Sequence, residues 1–289
     1  MLIVTDSAAD LTSEEAEALH IVQAPLHISF PDRQMTSDEV DIDEFYDLLE
    51  ASFPVIPTTS QPSVGEFVRL YEQHAADGGD VLSVHISTGL SGTAASATMA
   101  RDQVKERINV HVVDTMTLSG GERFQVLLAA RAAQAGWAVQ QVVDRLEEIR
   151  DQTETVFTLE TLEYLARGGR IGRVAGLLGS LLKLKPVIRV DHADGKYSNV
   201  SKARTIPQAL DTIAQHLERT YGSKRLWVSV MHGRLAGPAE QLVAKLSEKL
   251  QIGRLDILRV SPVLGVHTGP GVVGAAVVPL SLFEDLLPG

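Results

Sequence analysis

Short β-branched runs alternate with stretches of helical periodicity through the first half of the chain, and this alternation limits the fold more than any other feature. Val81 to Ile86 and Val110 to Val113 are β-branched apolar runs, each followed by a helical pattern, at Thr93 to Val104 and Gly121 to Ala135. Leu2 to Val4 and Ile21 to Phe30 also read as strands. Thr12 with Glu15, and Ser63 with Glu66, have the spacing of a capping box, the second opening a helix that runs to about Ala76. Asp41 opens another, with Ile42, Phe45, Leu48 and Leu49 at helical spacing. Strand–helix–strand units use right-handed crossovers, so this half predicts a mostly parallel sheet flanked by helices. A helix near Val139 to Arg150 and a strand at Thr155 to Leu159 complete it.

The second half reads differently. Leu162 to Ala166 and Val174 to Leu182 are helical on either side of Gly168-Gly169, and Pro186 to Val190 and Tyr197 to Val200 flank Asp194-Gly195, a hairpin signal. Thr205 to Tyr221 and Gly237 to Leu250 read as helices, with strands at Leu226 to Met231, Leu255 to Val260 and Val272 to Val278. The expected class is α/β: residues 1–160 form an N-terminal α/β domain and residues 161–289 a C-terminal α+β domain.

Charge and composition exclude several functions. With 26 Lys+Arg against 37 Asp+Glu the net charge is −11, which disfavours nucleic acid, a ligand bound through a basic footprint. The absence of cysteine excludes a disulfide scaffold, a thiol nucleophile and a thiolate metal site, and it fits a reducing cytoplasm. The nine histidines form no short-spaced pair such as H-E-x-x-H, so no metal site is expected. No secretory pattern opens the chain, since Leu2 to Val4 leads directly into Thr5-Asp6-Ser7. Ser261 to Phe283 lacks Asp, Glu, Lys and Arg, yet three prolines and four glycines interrupt it, so it is not a transmembrane segment. It reads as buried strands flanking a tight loop, a place to look for a site.

Ligands of doubly wound sheets sit beyond the carboxyl ends of the strands. The residues there form one chemical set: Asp6-Ser7, Thr58-Thr59-Ser60, Ser87 to Thr93, and Asp114-Thr115 with Ser119-Gly120-Gly121. Hydroxyls and helix N-termini suit an anion, and without Lys or Arg these loops suit a small, singly charged one such as a carboxylate. The competing interpretation is that the same residues are ordinary caps and turn formers. His267, bracketed by Gly265, Thr268 and Gly269, is either a donor to such a carboxylate or a core histidine satisfied by backbone. Arg167, Arg170 and Arg173, interleaved with glycines, are either a solvated face or a contact for protein or phosphate.

Two motif matches are incomplete. Gly269 to Gly274 fits G-x-G-x-x-G but leads into a strand rather than a helix. Gly89-Leu90-Ser91-Gly92-Thr93 resembles a nucleophile elbow with Thr93 where glycine is required. A serine hydrolase of lipid esters, with Ser91 as nucleophile, His267 or His85 as base and Asp6 or Asp114 as orienter, is the alternative function.

Taken in order, these clusters resemble the DegV family of bacterial fatty-acid-binding proteins. The matching elements are Thr5-Asp6-Ser7-Ala8-Ala9-Asp10-Leu11, Pro57 to Ser63, Leu90-Ser91-Gly92-Thr93 with Ser96-Ala97, and Asp114-Thr115 with Ser119 and Gly121. Leu162 to Leu165 leading into Gly168-Gly169-Arg170-Ile171-Gly172, Lys185-Pro186, Arg204-Thr205 and His267 to Gly271 complete the series. The resemblance implies a two-domain protein that buries a long-chain fatty acid such as palmitate between its domains, with no cofactor and no catalysis of its own. It implies that Thr59 and Ser91 hold the carboxylate beside His267, with Thr58, Ser60, Gly92 and Gly269 around them. It further implies that a separate ATP-dependent fatty-acid kinase phosphorylates the ligand and meets a surface containing Arg170 and Arg204. Ala175 to Leu184 reads as tunnel wall or ordinary core, and Arg123 departs from the small residue the family often has after Ser119 and Gly121.

Overall fold

The computed structural model, which describes residues 1–74, 79–176 and 184–286, contains the parallel sheet expected of the alternating half. In chain order the first half supplies β1 (Leu2–Asp6), α1 (Ser13–Ala18), β2 (Ile21–Ala24), β3 (His27–Ser29), β4 (Gln34–Thr36), α2 (Ile42–Ser52), β5 (Thr58–Ser60) and α3 (Val64–His74). Then come β6 (Asp80–His85), α4 (Thr93–Val104), β7 (Asn109–Asp114), α5 (Gly120–Gln134) and α6 (Val139–Gln152). The order β2-β1-β6-β7 is parallel throughout. Both expected capping boxes form: Thr12 and Ser63 each accept from the backbone N–H three residues on, while Glu15 and Glu66 reach back.

The Ile21 to Phe30 run is two strands, parted at Pro25, which cannot donate to a ladder. The second of them, β3, joins β4 and β5 in a small antiparallel sheet, whose Ile28 packs with Phe45, Tyr46 and Leu49 of α2.

The remaining elements are β8 (Glu154–Leu159), α7 (Glu163–Arg167), β9 (Lys185–Val190), β10 (Tyr197–Ala203), α8 (Ile206–Tyr221), β11 (Arg225–His232), α9 (Ala236–Lys249), β12 (Gln251–Arg259), α10 (Pro262–Thr268) and β13 (Val272–Pro279). They build a six-stranded sheet in the order β10-β9-β8-β13-β11-β12, antiparallel except between β11 and β12. The hairpin expected at Asp194-Gly195 joins β9 to β10. Helices α8 and α9 cover one face through Leu210, Ile213, Leu217, Leu242 and Leu246.

Between the two large sheets lies α5, with twelve of its fifteen residues buried, as a helix walled on both sides requires. Its Arg123, 3% exposed at the side chain, bonds Glu15 of α1 and both Ser229 and Asp256 of the six-stranded sheet. The departure at this position is thus a clamp across the layers.

Two expectations are corrected. Thr155 to Leu159, grouped by sequence with the first half, lies inside β8 in the six-stranded sheet, flanked by β9 and β13 and buried along its length. A continuously buried strand needs two neighbours, and chain order does not supply them here. The charge-free segment opens on a helix, α10, rather than a strand. Pro262 occupies its first turn, where a missing N–H is harmless, and Gly269, at φ 73°, ends it. Of the helical and tunnel-wall readings across Val174 to Leu184, residues 177–183 lie outside the described residues. Among the described residues no helix is long and apolar enough to cross a membrane.

Candidate functional site

Four elements converge on one cavity. In β5, side chains alternate between faces: Thr59, opposite Ile28 of β3, turns inward, while Thr58 and Ser60 are exposed. Ser91 comes from the loop ahead of α4, where its Oγ lies 2.8 Å from Thr93 Oγ1 and also accepts from the Thr93 N–H. The last turn of α10 brings His267, and the glycine-rich segment after α7 brings Arg170. Thr59, Ser91, Arg170 and His267 line a space of about 390 Å³, its mouth included, with apolar walls from Leu26, Leu90 and Leu264 among others.

Leu264 also borders a second, narrow space, walled by Leu118, Phe157, Met231, Val260 and Val272. Three hydroxyls reach it, but each is engaged elsewhere. Ser119 donates to Asp10, Thr155 pairs with Thr117 and Thr268 donates to the Leu264 carbonyl. The inner space is therefore apolar in effect, and Leu264 forms a wall of both spaces.

His267 is 7% exposed, and its Nε2 lies 2.7 Å from Thr59 Oγ1. Burial pushes its pKa down to about 3, and the Arg170 charge acts in the same direction, so the ring is neutral at physiological pH. Gly168 makes room for it: a Cβ there would stand 2.3 Å from His267 Nδ1. The chamber thus offers hydroxyls, a neutral imidazole and one guanidinium, a set suited to a single weak anion rather than to polyphosphate.

Most other hydroxyl and acid clusters read from the sequence have structural roles, as the cap-and-turn alternative held. Asp6 accepts from Ala8 N, Ile86 N and His85 Nδ1, fixing two backbone positions of the chamber wall. Asp114 accepts from Thr88 and Met116, and Ser87 donates to the Gly195 carbonyl. Asp10 is buried, with its pKa raised to about 6 by that burial, and it accepts from Ser119 Oγ and from Ser261 N at the start of α10.

The hydrolase arrangement does not assemble. Ser91 pairs with Thr93 and His267 with Thr59, while His85 lies fully buried between Ser83 and Asp6.

Gly92 is the N-cap of α4 and faces Gln61; Gly269 packs on the Tyr164 ring. Neither borders the chamber. Arg204 is exposed ahead of α8 and likewise stands apart from it. Arg170, expected on an outer surface, is half-buried and turned into the chamber. That placement had no signal in the sequence beyond the flanking glycines, because Arg170 and Ser91 are brought together only by tertiary folding. Arg167 and Arg173 point elsewhere, to Pro54 and Phe53 and to the Asp191–Asp194 turn respectively.

Comparison with known proteins agrees with this architecture. A family model described as "Uncharacterised protein, DegV family" matches residues 1–280. A DegV domain-containing protein of Deinococcus radiodurans is 37% identical over 278 residues, covering 96% of this chain and 95% of its own. One from Staphylococcus aureus is 32% identical over 280 residues, covering 96% and 98%. Among solved structures, a fatty-acid-binding DegV family protein from Thermus thermophilus superposes with a TM-score of 0.89 at 31% identity, covering 96% of this chain and 99% of that one. DegV of Bacillus subtilis, a fatty-acid-binding protein, gives 0.87 at 29%, covering 96% and 98%.

Proposed function

Since the chain belongs to the DegV family, we propose that it binds a long-chain fatty acid such as palmitate, its carboxylate in the polar chamber and its acyl chain in the apolar space behind. The observation that carries this reading is that a chamber holding Thr59, Ser91, His267 and Arg170 lies next to an apolar space, with Leu264 lining both. Thr59 and Ser91 hold the carboxylate, and Arg170 neutralises it. Each buried methylene contributes about 0.8 kcal/mol, so a palmitate chain supplies on the order of 10 kcal/mol before ordering costs.

The reading places the protein in the cytoplasm as a carrier between the domains of which the ligand lies, with no chemistry assigned to its own side chains. The carboxylate is offered to a separate ATP-dependent fatty-acid kinase, which meets a surface around the chamber mouth and Arg204. Mass spectrometry of denatured protein should release a long-chain fatty acid; none released, together with no binding of added palmitate, would overturn the reading. Thr59→Ala and Ser91→Ala should each weaken palmitate binding by roughly 1.5 to 3 kcal/mol while the fold persists, since each removes a hydrogen bond to a charged group.

A further inference from the structure

Leu255 and Ile257, 38% and 51% exposed, stand two residues apart on β12 and so share one face. The register sets them opposite Val228 and Val230, on the face that α8 and α9 cover farther in. β12 is the outermost strand of its sheet and pairs with β11 alone, so among the described residues one row of its N–H and C=O groups meets no strand. An open apolar edge is a template for another chain, and proteins ordinarily protect it. The opposite edge of the same sheet shows such protection: β10 is broken by a bulge between Asn199 and Ser201 and carries the exposed Lys202. In β12 the one irregularity falls at Gly253, and Arg254 to Arg259 continues without a break, a proline or a lysine. Its inward charges are already engaged, since Arg254 lies over the Trp227 ring and Asp256 accepts from Trp227 and Arg123.

A cleft of about 470 Å³ lies between this edge and the first half of the chain, lined by Ile257 and Arg259 and, across from them, by Thr12, Gln23, Ser37 and Asp38. It lies on the Asp256 side of β12, the side on which α1 and α5 sit. Arg259 is tied to Asp43 and to the Gly233 carbonyl, and Asp10, also in the wall, is buried and engaged by Ser119 and Ser261. Asp38 is exposed and pairs with no cation among the described residues, so the uncommitted charge of the cleft is negative. A strand added to β12 would turn alternate side chains to opposite faces, one set against Leu255 and Ile257 and the other into the cleft beside Asp38. A second copy of this chain does not match that pattern. Two-fold pairing through the whole run would set Arg254 opposite Arg259, like charges across a ladder.

We propose that the free edge of β12 and the cleft beside it form a docking surface for an extended segment of a partner protein, which adds a strand to the sheet and carries apolar side chains alternating with lysine or arginine. Main-chain bonds to β12 supply affinity, and the two faces supply selectivity. The surface is separate from the fatty-acid chamber and does not depend on what that chamber holds.

A labelled peptide of three Lys-Val repeats, titrated into the full chain and followed by fluorescence anisotropy, tests the assignment. It should bind saturably, and a Glu-Val peptide of the same length should bind at least about tenfold more weakly. Only one row of an added strand's N–H groups faces the sheet, so N-methylation of one alternate set of peptide amides should lower affinity by about tenfold or more, and methylation of the other set should leave it unchanged. Ile257→Asn, an exposed substitution that adds no charge, should weaken the Lys-Val peptide by about tenfold, whereas Asn199→Asp on the opposite edge should not. Unchanged palmitate binding by both variants would show that the fold persists. No saturable binding, equal binding of the two peptides, or equal effects of the two methylation patterns would overturn the proposal. So would a dimer in sedimentation equilibrium that Ile257→Asn dissociates, which would assign the edge to a second copy.

Discussion

Gly168→Ala tests the site with a single methyl group. Gly168 has φ −73°, a conformation alanine adopts freely, so space alone is at issue. The added Cβ would stand 2.3 Å from His267 Nδ1, 3.0 Å from the Tyr164 carbonyl oxygen and 3.1 Å from His267 Cε1. To restore ordinary contact the imidazole must shift by about 1 Å, enough to disturb the geometry of its 2.7 Å bond to Thr59. Overpacking of this kind costs about 1–3 kcal/mol of stability. Losing the orientation of Thr59 should cost a further 1.5–3 kcal/mol of binding, roughly tenfold to a hundredfold in affinity. Palmitate titration by calorimetry reads the second effect, and chemical denaturation at constant m-value reads the first. Gly65→Ala is the control, because its nearest neighbour is Arg69 Nη1 at 3.7 Å and its helix should gain about 0.5–1 kcal/mol. A folded Gly168→Ala protein that binds palmitate as tightly as the wild type would refute the claim that Gly168 sets the Thr59–His267 geometry.

Arg123→Met should destabilise the protein by about 3 kcal/mol, the low end for a broken buried pair because Glu15 and Asp256 retain 20% exposure; a denaturation midpoint unchanged from wild type would show that the clamp is idle. Burial alone would raise the Glu154 carboxyl, but hydrogen bonds from His192 and His216 and the nearby Arg189 outweigh it and bring the pKa down to about 2, while the bond to Glu154 raises His192. The Glu154 contribution should therefore be present above its ordinary value of 4.5 and fade as pH falls toward 2, and the His192 contribution should be complete below its ordinary 6.5 and fade as pH rises through its elevated value. Glu154→Gln should flatten both limbs of a stability-versus-pH curve, and identical curves would refute the pairing. Leu118→Phe should fill part of the inner space and shift preference toward shorter acids in a competition assay; an unchanged ranking would place the acyl chain elsewhere.

The parallel sheet was legible because its pattern is local: each β-branched run and the helix after it lie within a few tens of residues. Strand β8 and helix α10 show the limit of that reading. The partners of β8 are β9 and β13, and no periodicity within Thr155 to Leu159 names them. The residues of α10, Pro-Val-Leu-Gly-Val-His-Thr, are mostly poor helix formers. The segment is helical because Pro262 can start it, Asp10 accepts from the backbone at Ser261, and Gly265 lets it press against Phe45 and Tyr46. These are tertiary causes, and local propensity yields to them.

The site was legible in chemistry more than in geometry. Hydroxyl clusters after strands point to an anion, but the sequence cannot say which hydroxyls face it. Strand alternation selects Thr59 over Thr58 and Ser60, and the folding of the loops commits Ser87, Thr88 and Ser119 to internal bonds. The sequence also predicts an anion site without a cation, whereas the fold carries Arg170 across from the second half to join Thr59 and Ser91 of the first. No single segment can therefore bind the carboxylate. A ligand that needs all of them together binds only the folded chain, and it must stabilise that state by about 2.7 kcal/mol when present at a hundred times its Kd. In an acidic chain of net charge −11, one guanidinium among neutral donors suits the proposed carboxylate, because hydrogen bonds to an ionised acceptor are the strong ones.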